Sequence, residues 1–198
     1  MRYAHTTLLT FSSLSFILAS PAGAPGPLEA LQSRATDDNI VYVTDANKFC
    51  MIMPRDQHTN IGDSEQPGRM KTYCSPAGHY SSLQGTLPAN FWSNVAFKTG
   101  TGKNGQRYAQ LTGCIRPSTL DRLNTDDGGG QYDSSGGAGG RGNPEGSVCL
   151  GYKHYVELVE PSESRACIKC CDDAADCPTN KDMAGCPAVI SGNYFNCG

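Results

Sequence analysis

The three histidines beyond residue 34 are the side chains best suited to proton transfer near neutral pH: His58, His79 and His154. A secreted ribonuclease would need such a base and acid, together with a cation for the phosphate. His154 and Glu157 are the most suggestive pair, but residues three apart in a strand point to opposite faces. His154 shares its predicted face with Leu150, Val156 and Leu158, so we expect a buried, structural imidazole. Sequence leaves open whether His79 or His154 belongs to a catalytic site.

Cysteine is the other residue type with chemistry of its own. The ten cysteines are Cys50, Cys74, Cys114, Cys149, Cys167, Cys170, Cys171, Cys177, Cys186 and Cys197. An even number in an exported chain predicts five disulfides, whose pairing sequence cannot supply. Cys170 and Cys171 are adjacent and should bond to two different partners. The alternative is a zinc site at Cys167 and Cys170, but zinc ribbons need a second pair at matching spacing. We therefore expect no metal and no cofactor.

Two glycine-containing motifs favour turns over ligand sites. Residues 100–105 (GTGKNG) match GxGxxG, but a strand ending at Cys114 follows where a dinucleotide fold needs a helix. Lys103 is followed by Asn104, whereas a phosphate loop requires Ser or Thr there. Asn104-Gly105 instead predicts a β-hairpin.

Two further clusters are weak candidates for binding. Asp126, Asp127 and Asp133 lack the spacing of a calcium loop. Trp92, the single tryptophan, could stack on a sugar with some of the nine tyrosines, but it follows Phe91 in a predicted strand. We expect it to serve the core or a sheet edge.

The N-terminus predicts export. Arg2 precedes an apolar run over 8–19, which has the length of a signal-peptide core and is too short to span a membrane. Cleavage after Ala22 would give a signal peptide 1–22, followed by a pro-segment or disordered tether, 23–34. A net charge of −3 and no basic cluster argue against nucleic acid or an anionic membrane as partner. We expect a soluble, secreted, extracellular monomer.

Short β-branched and alternating runs predict strands over 40–43, 48–53, 70–74, 91–99, 106–114 and 148–159. No sustained helical pattern occurs. The predicted fold is mainly β, a single compact antiparallel domain over 35–164 with a disulfide-dense, loop-rich C-terminal module, 165–198, packed on it. Nine glycines make 126–146 a predicted surface loop.

The stretch 151–155 (GYKHY), together with 165–197 (RACIKCCDDAADCPTNKDMAGCPAVISGNYFNC), resembles small secreted cysteine-rich proteins of fungi. This resemblance implies extracellular release and an effector-like role, and it carries no catalytic residues. The predicted function is therefore binding outside the cell, to an extracellular ligand, a host protein or a cell-wall component. The alternatives are a small secreted hydrolase such as a ribonuclease, or a structural cell-wall protein or protease inhibitor.

Overall fold

The computed structural model describes residues 35–136 and 144–197. The predicted signal peptide 1–22, the segment 23–34 and residues 137–143 of the glycine-rich stretch lie outside the described residues. The strands are β1 Ile40–Val43, β2 Phe49–Pro54, β3 Met70–Cys74, β4 Gly85–Thr86, β5 Trp92–Thr101, β6 Arg107–Ile115, β7 Gly130–Asp133, β8 Val148–Cys149, β9 His154–Glu160 and β10 Arg165–Cys171. The helices are α1 Ile61–Ser64 and α2 Cys186–Val189, and 3-10 turns occupy Asp37–Asn39, Pro117–Thr119, Pro161–Glu163 and Ala174–Asp176.

These strands form two five-stranded sheets, in the orders β4-β3-β2-β1-β8 and β5-β6-β10-β9-β7. All four pairings in the second sheet are antiparallel, whereas the two-residue strands β4 and β8 join the first sheet in parallel. The prediction of a mainly β, antiparallel-rich fold is confirmed. In the described part of the chain no helix is long and apolar enough to cross a membrane.

The three central strands of the second sheet, β6, β10 and β9, are buried on both faces. Residues such as Leu111, Tyr155 and Ile168 face the first sheet and form the main core. On the opposite face, Val156 and Leu158 pack under the C-terminal segment, including Ile190. This face is covered because the chain after β10 folds back across the sheet.

The strand β10 was not predicted, although it is the central strand of the second sheet. It is the first part of the segment expected to be loop-rich, and five of its seven residues are buried. Three of those seven are cysteines, which obscured the strand pattern.

The prediction of one continuous strand over 148–159 is wrong. β8 pairs with β1 in the first sheet and β9 pairs with β10 in the second, so the chain changes sheets between them. A turn at residues 150–153 makes this change, with Gly151 at φ +81° and Leu150 half exposed. A positive φ is the conformation that glycine adopts without a steric penalty.

The glycine-rich stretch 126–146 is not a loop throughout, which corrects a second prediction. β7 lies within it and pairs with β9, and Gln131, Tyr132 and Asp133 are buried. The side chain of Tyr132 fills the core between the sheets, so this stretch contributes packing that its glycine content concealed.

All ten cysteines are paired: Cys50–Cys74, Cys114–Cys197, Cys149–Cys170, Cys167–Cys186 and Cys171–Cys177. Neighbouring residues of a strand face opposite sides of a sheet. Cys170 accordingly faces the core and bonds to β8 of the first sheet, whereas Cys171 faces outward and bonds to the C-terminal segment. The predicted disulfides, and the separate partners of Cys170 and Cys171, are confirmed.

Candidate functional site

A groove of about 350 Å³ opens beside β5, and residues of both sheets line it. Phe49 of β2 and the turns after β1, β3 and β4 form one wall, while Trp92 and Val95 of β5 form the other. Phe91, Leu87 and several alanines and prolines complete an apolar surface. Ligand sites are typically concave, mostly apolar and supplied with a few polar groups. We call this feature the Trp92 groove.

Trp92 is half buried and is held by two aromatic neighbours. Its ring meets Phe49 at a centroid distance of 6.2 Å and Phe91 at 5.8 Å, both in edge-to-face geometry. Aromatic pairs prefer this arrangement because the positive edge of one ring meets the negative face of the other. The tryptophan therefore has a defined orientation before any ligand arrives.

The backbone on the β5 side is fixed by Arg116. Its Nη1 donates to the carbonyl of Asn90 at 2.8 Å and to that of Trp92 at 3.1 Å. A register shift between Trp92 and Asn94 marks a β-bulge at this point. Bulges re-aim side chains locally, and this one places Trp92 and Val95 on the same face, opposite Ile115 and Gly113 of β6.

The opposite wall is fixed by the turn after β3. The Ser75 hydroxyl accepts from the backbone N–H groups of Phe49 and Gly78, and the Tyr42 hydroxyl donates to the Gly78 carbonyl at 2.5 Å. A Cβ on Gly78 would lie 2.6 Å from the carbonyl oxygen of Phe49, so only glycine fits this approach. The Cys50–Cys74 disulfide ties the two strands beneath. The walls are thus pre-organised, which reduces the entropy lost on binding.

The electrostatic character of the groove is neutral. Its polar side chains are Asn47, Ser75 and the indole of Trp92, and none of its described lining residues is ionisable. The indole Nε1 is buried and has no hydrogen-bond acceptor among the described residues. The groove can bind and orient a ligand but has no side chain for acid–base catalysis.

His154 begins β9 and is half buried, so the predicted full burial is wrong. It lines an open cavity of about 700 Å³ with Ser134, Ser135 and Thr179. His154 lies at the end of the sheet, opposite Cys171, and the open cavity between it and residues 174–180 of the C-terminal segment leaves the imidazole partly exposed. Glu157 does point to the other face, as predicted, and is fully buried in the core.

The other two histidines lie apart from His154. His58 follows β2, is exposed and lines a separate polar cavity with Asp121 and Asn124. It adopts φ +50°, held by a bond from its N–H to the Asp121 carbonyl. His79 is exposed in the turn after β3. The three imidazoles are therefore not assembled into one site.

Asp127 and Asp133 lie close to Glu65, and the carboxylates of Asp127 and Glu65 accept hydrogen bonds from the backbone. Asp127 accepts from the N–H of Ile61 at 2.7 Å, and Glu65 accepts from the N–H of Gln131 at 2.9 Å. Burial, then the nearby carboxylates, raises the pKa of Glu65 to about 7 despite that hydrogen bond. No cluster of three or more His, Cys, Asp or Glu in the described residues could hold a metal ion.

The remaining sequence motifs have structural roles. Residues 102–106 connect β5 and β6 as the predicted hairpin, with Gly105 at φ +73°. Lys103 is exposed at its tip. The cysteines are all in disulfides.

Sequence reasoning singled out Trp92 but missed the groove around it. The lining residues come from three separate stretches of the chain, 46–49, 75–77 and 87–95, and most are alanine, proline or single aromatics. No local pattern brings such residues together. The one usable signal was a lone tryptophan next to a phenylalanine at the start of a predicted strand.

Comparison with known proteins adds no relationship: no family model, curated protein or solved structure matches this chain.

Proposed function

We propose that this protein is a secreted, effector-like binding protein that acts outside the cell and holds its ligand in the Trp92 groove. The observation that carries the proposal is the groove itself, whose walls are fixed and uncharged and include the ring of Trp92. The ligand is extracellular, either a segment of a host protein or a cell-wall component.

Secretion is supported by two independent features. The first is the N-terminal pattern of a positive residue, an apolar run over 8–19 and a small residue at Ala22. The second is the set of five disulfides, a chemistry that persists in oxidising compartments. N-terminal sequencing of the protein from culture medium should find a start at Gly23, or at Ala35 if the pro-segment is removed. A start at Met1 would contradict export.

Binding is favoured over hydrolysis by the chemistry of the groove. General acid–base catalysis needs a titratable group within hydrogen-bond reach of the reacting atom. The described lining residues contain none, whereas they do contain an aromatic ring fixed by two edge-to-face contacts. Buried tryptophans in such pockets carry much of the energy of many interfaces.

The experiment uses the single tryptophan as its own reporter. Soluble oligosaccharides of chitin, cellulose and β-1,3-glucan, and a library of linear peptides, are titrated while Trp92 emission is recorded. We expect one class to shift the emission, and calorimetry to show that Trp92→Ala weakens binding about tenfold or more. Met183→Ala is the matched control, because Met183 is an apolar side chain 99% exposed outside the groove. The proposal is refuted if Trp92→Ala leaves the affinity for the ligand unchanged, or if none of the saccharides and peptides changes Trp92 emission.

A further inference from the structure

The long edge of the second sheet is uncovered. β5 ends the strand order, and no described segment pairs with its outer side. It has ten residues, of which the last five are all exposed. An edge strand presents a row of unpaired N–H and C=O groups, which is a template for another strand.

The other sheet edges are protected by means visible in the fold. β4 and β8 have only two residues each. At β7, Glu65 accepts from the Gln131 N–H, and Ser64 of α1 is hydrogen-bonded to the Tyr132 hydroxyl at 2.6 Å. Natural proteins commonly shorten or cover their edges in this way. β5 is the exception among the described strands.

The hairpin at 102–106 defines which backbone groups of β5 are free. The N–H of Gly102 donates to the Gln106 carbonyl, and the Gly102 carbonyl accepts from Gly105. Both groups of Gly102 are thereby used within the hairpin. Along a strand, the backbone N–H and C=O groups of successive residues point alternately towards and away from the neighbouring strand. Since the groups of Gly102 point towards β6, the N–H and C=O groups that point away belong to Thr101, Thr99, Phe97 and Val95.

An added strand would place alternate side chains over the Trp92 groove. Val95 and Phe97 lie on the face directed at the first sheet, opposite Gly113 and Leu111 in register. Val95 lines the groove, and Phe97, two residues further along the same face of β5, is 37% exposed. In a strand paired with this part of β5, the side chains opposite Val95 and Phe97 would also point to the face directed at the first sheet. In β-augmentation the main chain supplies affinity and such pockets supply specificity.

The charge beside this edge differs along β5: Asp172, Asp173 and Asp176 lie beside its hairpin end, whereas Lys98 lies at its middle. Residues 92–107 contain three cations and no carboxylate, in a chain whose net charge is −3. Arg107 is paired with Asp172 at 2.8 Å. Lys98 lies in the same cross-strand row as Lys169, with Gln110 between them, on the outer face. Asp176 lies near Lys169. A carboxylate on the incoming strand would therefore complement Lys98 at the middle of β5.

We infer that the ligand is an extended peptide segment, carrying an acidic residue, that adds to β5 as a sixth strand and sets apolar side chains into the Trp92 groove. This assignment rests on the function proposed above and names the ligand class for the same site. The binding is non-covalent.

The test begins with a phage library of random twelve-residue peptides selected on the immobilised secreted protein. Enriched peptides are synthesised, and their affinity is measured by Trp92 emission. Each peptide is also made in two N-methylated versions, one with methyl groups on the backbone nitrogens of the odd-numbered residues and one with them on the even-numbered residues. We expect one register to weaken binding about tenfold or more and the other to have little effect, because only every second N–H faces β5.

Protein variants test the same contact from the other side. Thr99→Pro removes an outward N–H at a position where an edge strand tolerates proline, and should weaken binding about tenfold. Lys98→Glu should weaken binding and reduce its salt dependence, whereas the matched control Lys181→Glu, also an exposed lysine, should not. The N-methylated peptides keep the test valid even if Thr99→Pro fails to fold.

The outcomes separate this inference from the proposed function. Equal effects of both methylation registers, or a folded Thr99→Pro variant that binds normally, overturn strand addition. A concentration-dependent dimer abolished by Thr99→Pro would identify a second copy as the occupant and overturn the peptide assignment. If no peptide is enriched but a saccharide shifts Trp92 emission, the proposed function stands and this inference fails. If no probe binds, both fail.

Discussion

Ionisation of Glu157 should make the protein less stable as the pH rises above 5. Glu157 is completely buried between the sheets, where its Oε2 accepts from the Ile52 N–H at 3.0 Å. Its Oε1 has no partner among the described residues. Burial raises the pKa of this carboxyl well above its usual range, and the single hydrogen bond from Ile52 offsets that only in part. The folded protein therefore keeps the proton that the unfolded chain releases near pH 4.5.

The size of the effect follows from proton linkage. A group whose pKa is raised on folding contributes stability that is fully present below its unfolded pKa and is lost as the pH rises towards its folded pKa. One proton changes the free energy of unfolding by about 1.4 kcal/mol per pH unit. Each pH unit between the unfolded value and the folded pKa therefore lowers Tm by roughly 3–6 °C for a domain of this size. Glu65, whose burial raises its pKa to about 7, acts with the same sign.

The assay is thermal unfolding between pH 5 and pH 8 for the wild type and Glu157→Gln. The amide keeps an oxygen that can accept from Ile52 but does not ionise. The variant should therefore lose the part of the slope due to Glu157, keep the part due to Glu65 below pH 7, and exceed the wild type at pH 8. Glu163→Gln removes a carboxylate from an exposed side chain and serves as the matched control. Hydrogen bonds from Arg122 hold the pKa of Asp121 at about 2, so that group titrates outside this window.

Two results would refute the reasoning. One is a wild-type Tm that stays level or rises from pH 5 to pH 8. The other is a Glu157→Gln variant whose pH dependence matches that of the wild type, which would mean that Glu157 does not hold its proton in the folded state.

Two further predictions concern the cysteines and His154. Complete reduction should increase the mass of the protein by ten hydrogens, two for each of the five disulfides. Peptide mapping should show that Cys149 is linked to Cys170 and Cys171 to Cys177. A free thiol, or a Cys149–Cys171 link, would contradict the described pairing. Because His154 is only half buried, His154→Ala should lower the free energy of unfolding by less than about 1 kcal/mol in denaturant titrations, and a loss above 2 kcal/mol would indicate a buried role after all.

Local sequence was sufficient for the features that depend on neighbouring residues. The strand at 70–74 was predicted with its observed bounds, and β1, β2, β5 and β6 within two residues at each end, because alternation and β-branching act over a few positions. Asn104-Gly105 predicted the hairpin for the same reason. The adjacency of Cys170 and Cys171 was enough to require different partners, since a disulfide between adjacent residues would force a strained geometry.

Tertiary structure decided what depends on distant residues. A strand pattern indicates which side chains share a face but not whether a later segment covers that face, so the burial of Glu157 and the half-exposure of His154 could not be read from their spacing. The change of sheet after Leu150, the pairing of the cysteines and the Trp92 groove all bring together positions tens of residues apart. Sequence alone determined that the chain forms β-strands and has cysteines suited to disulfides; only packing of the two sheets determined where a ligand could bind.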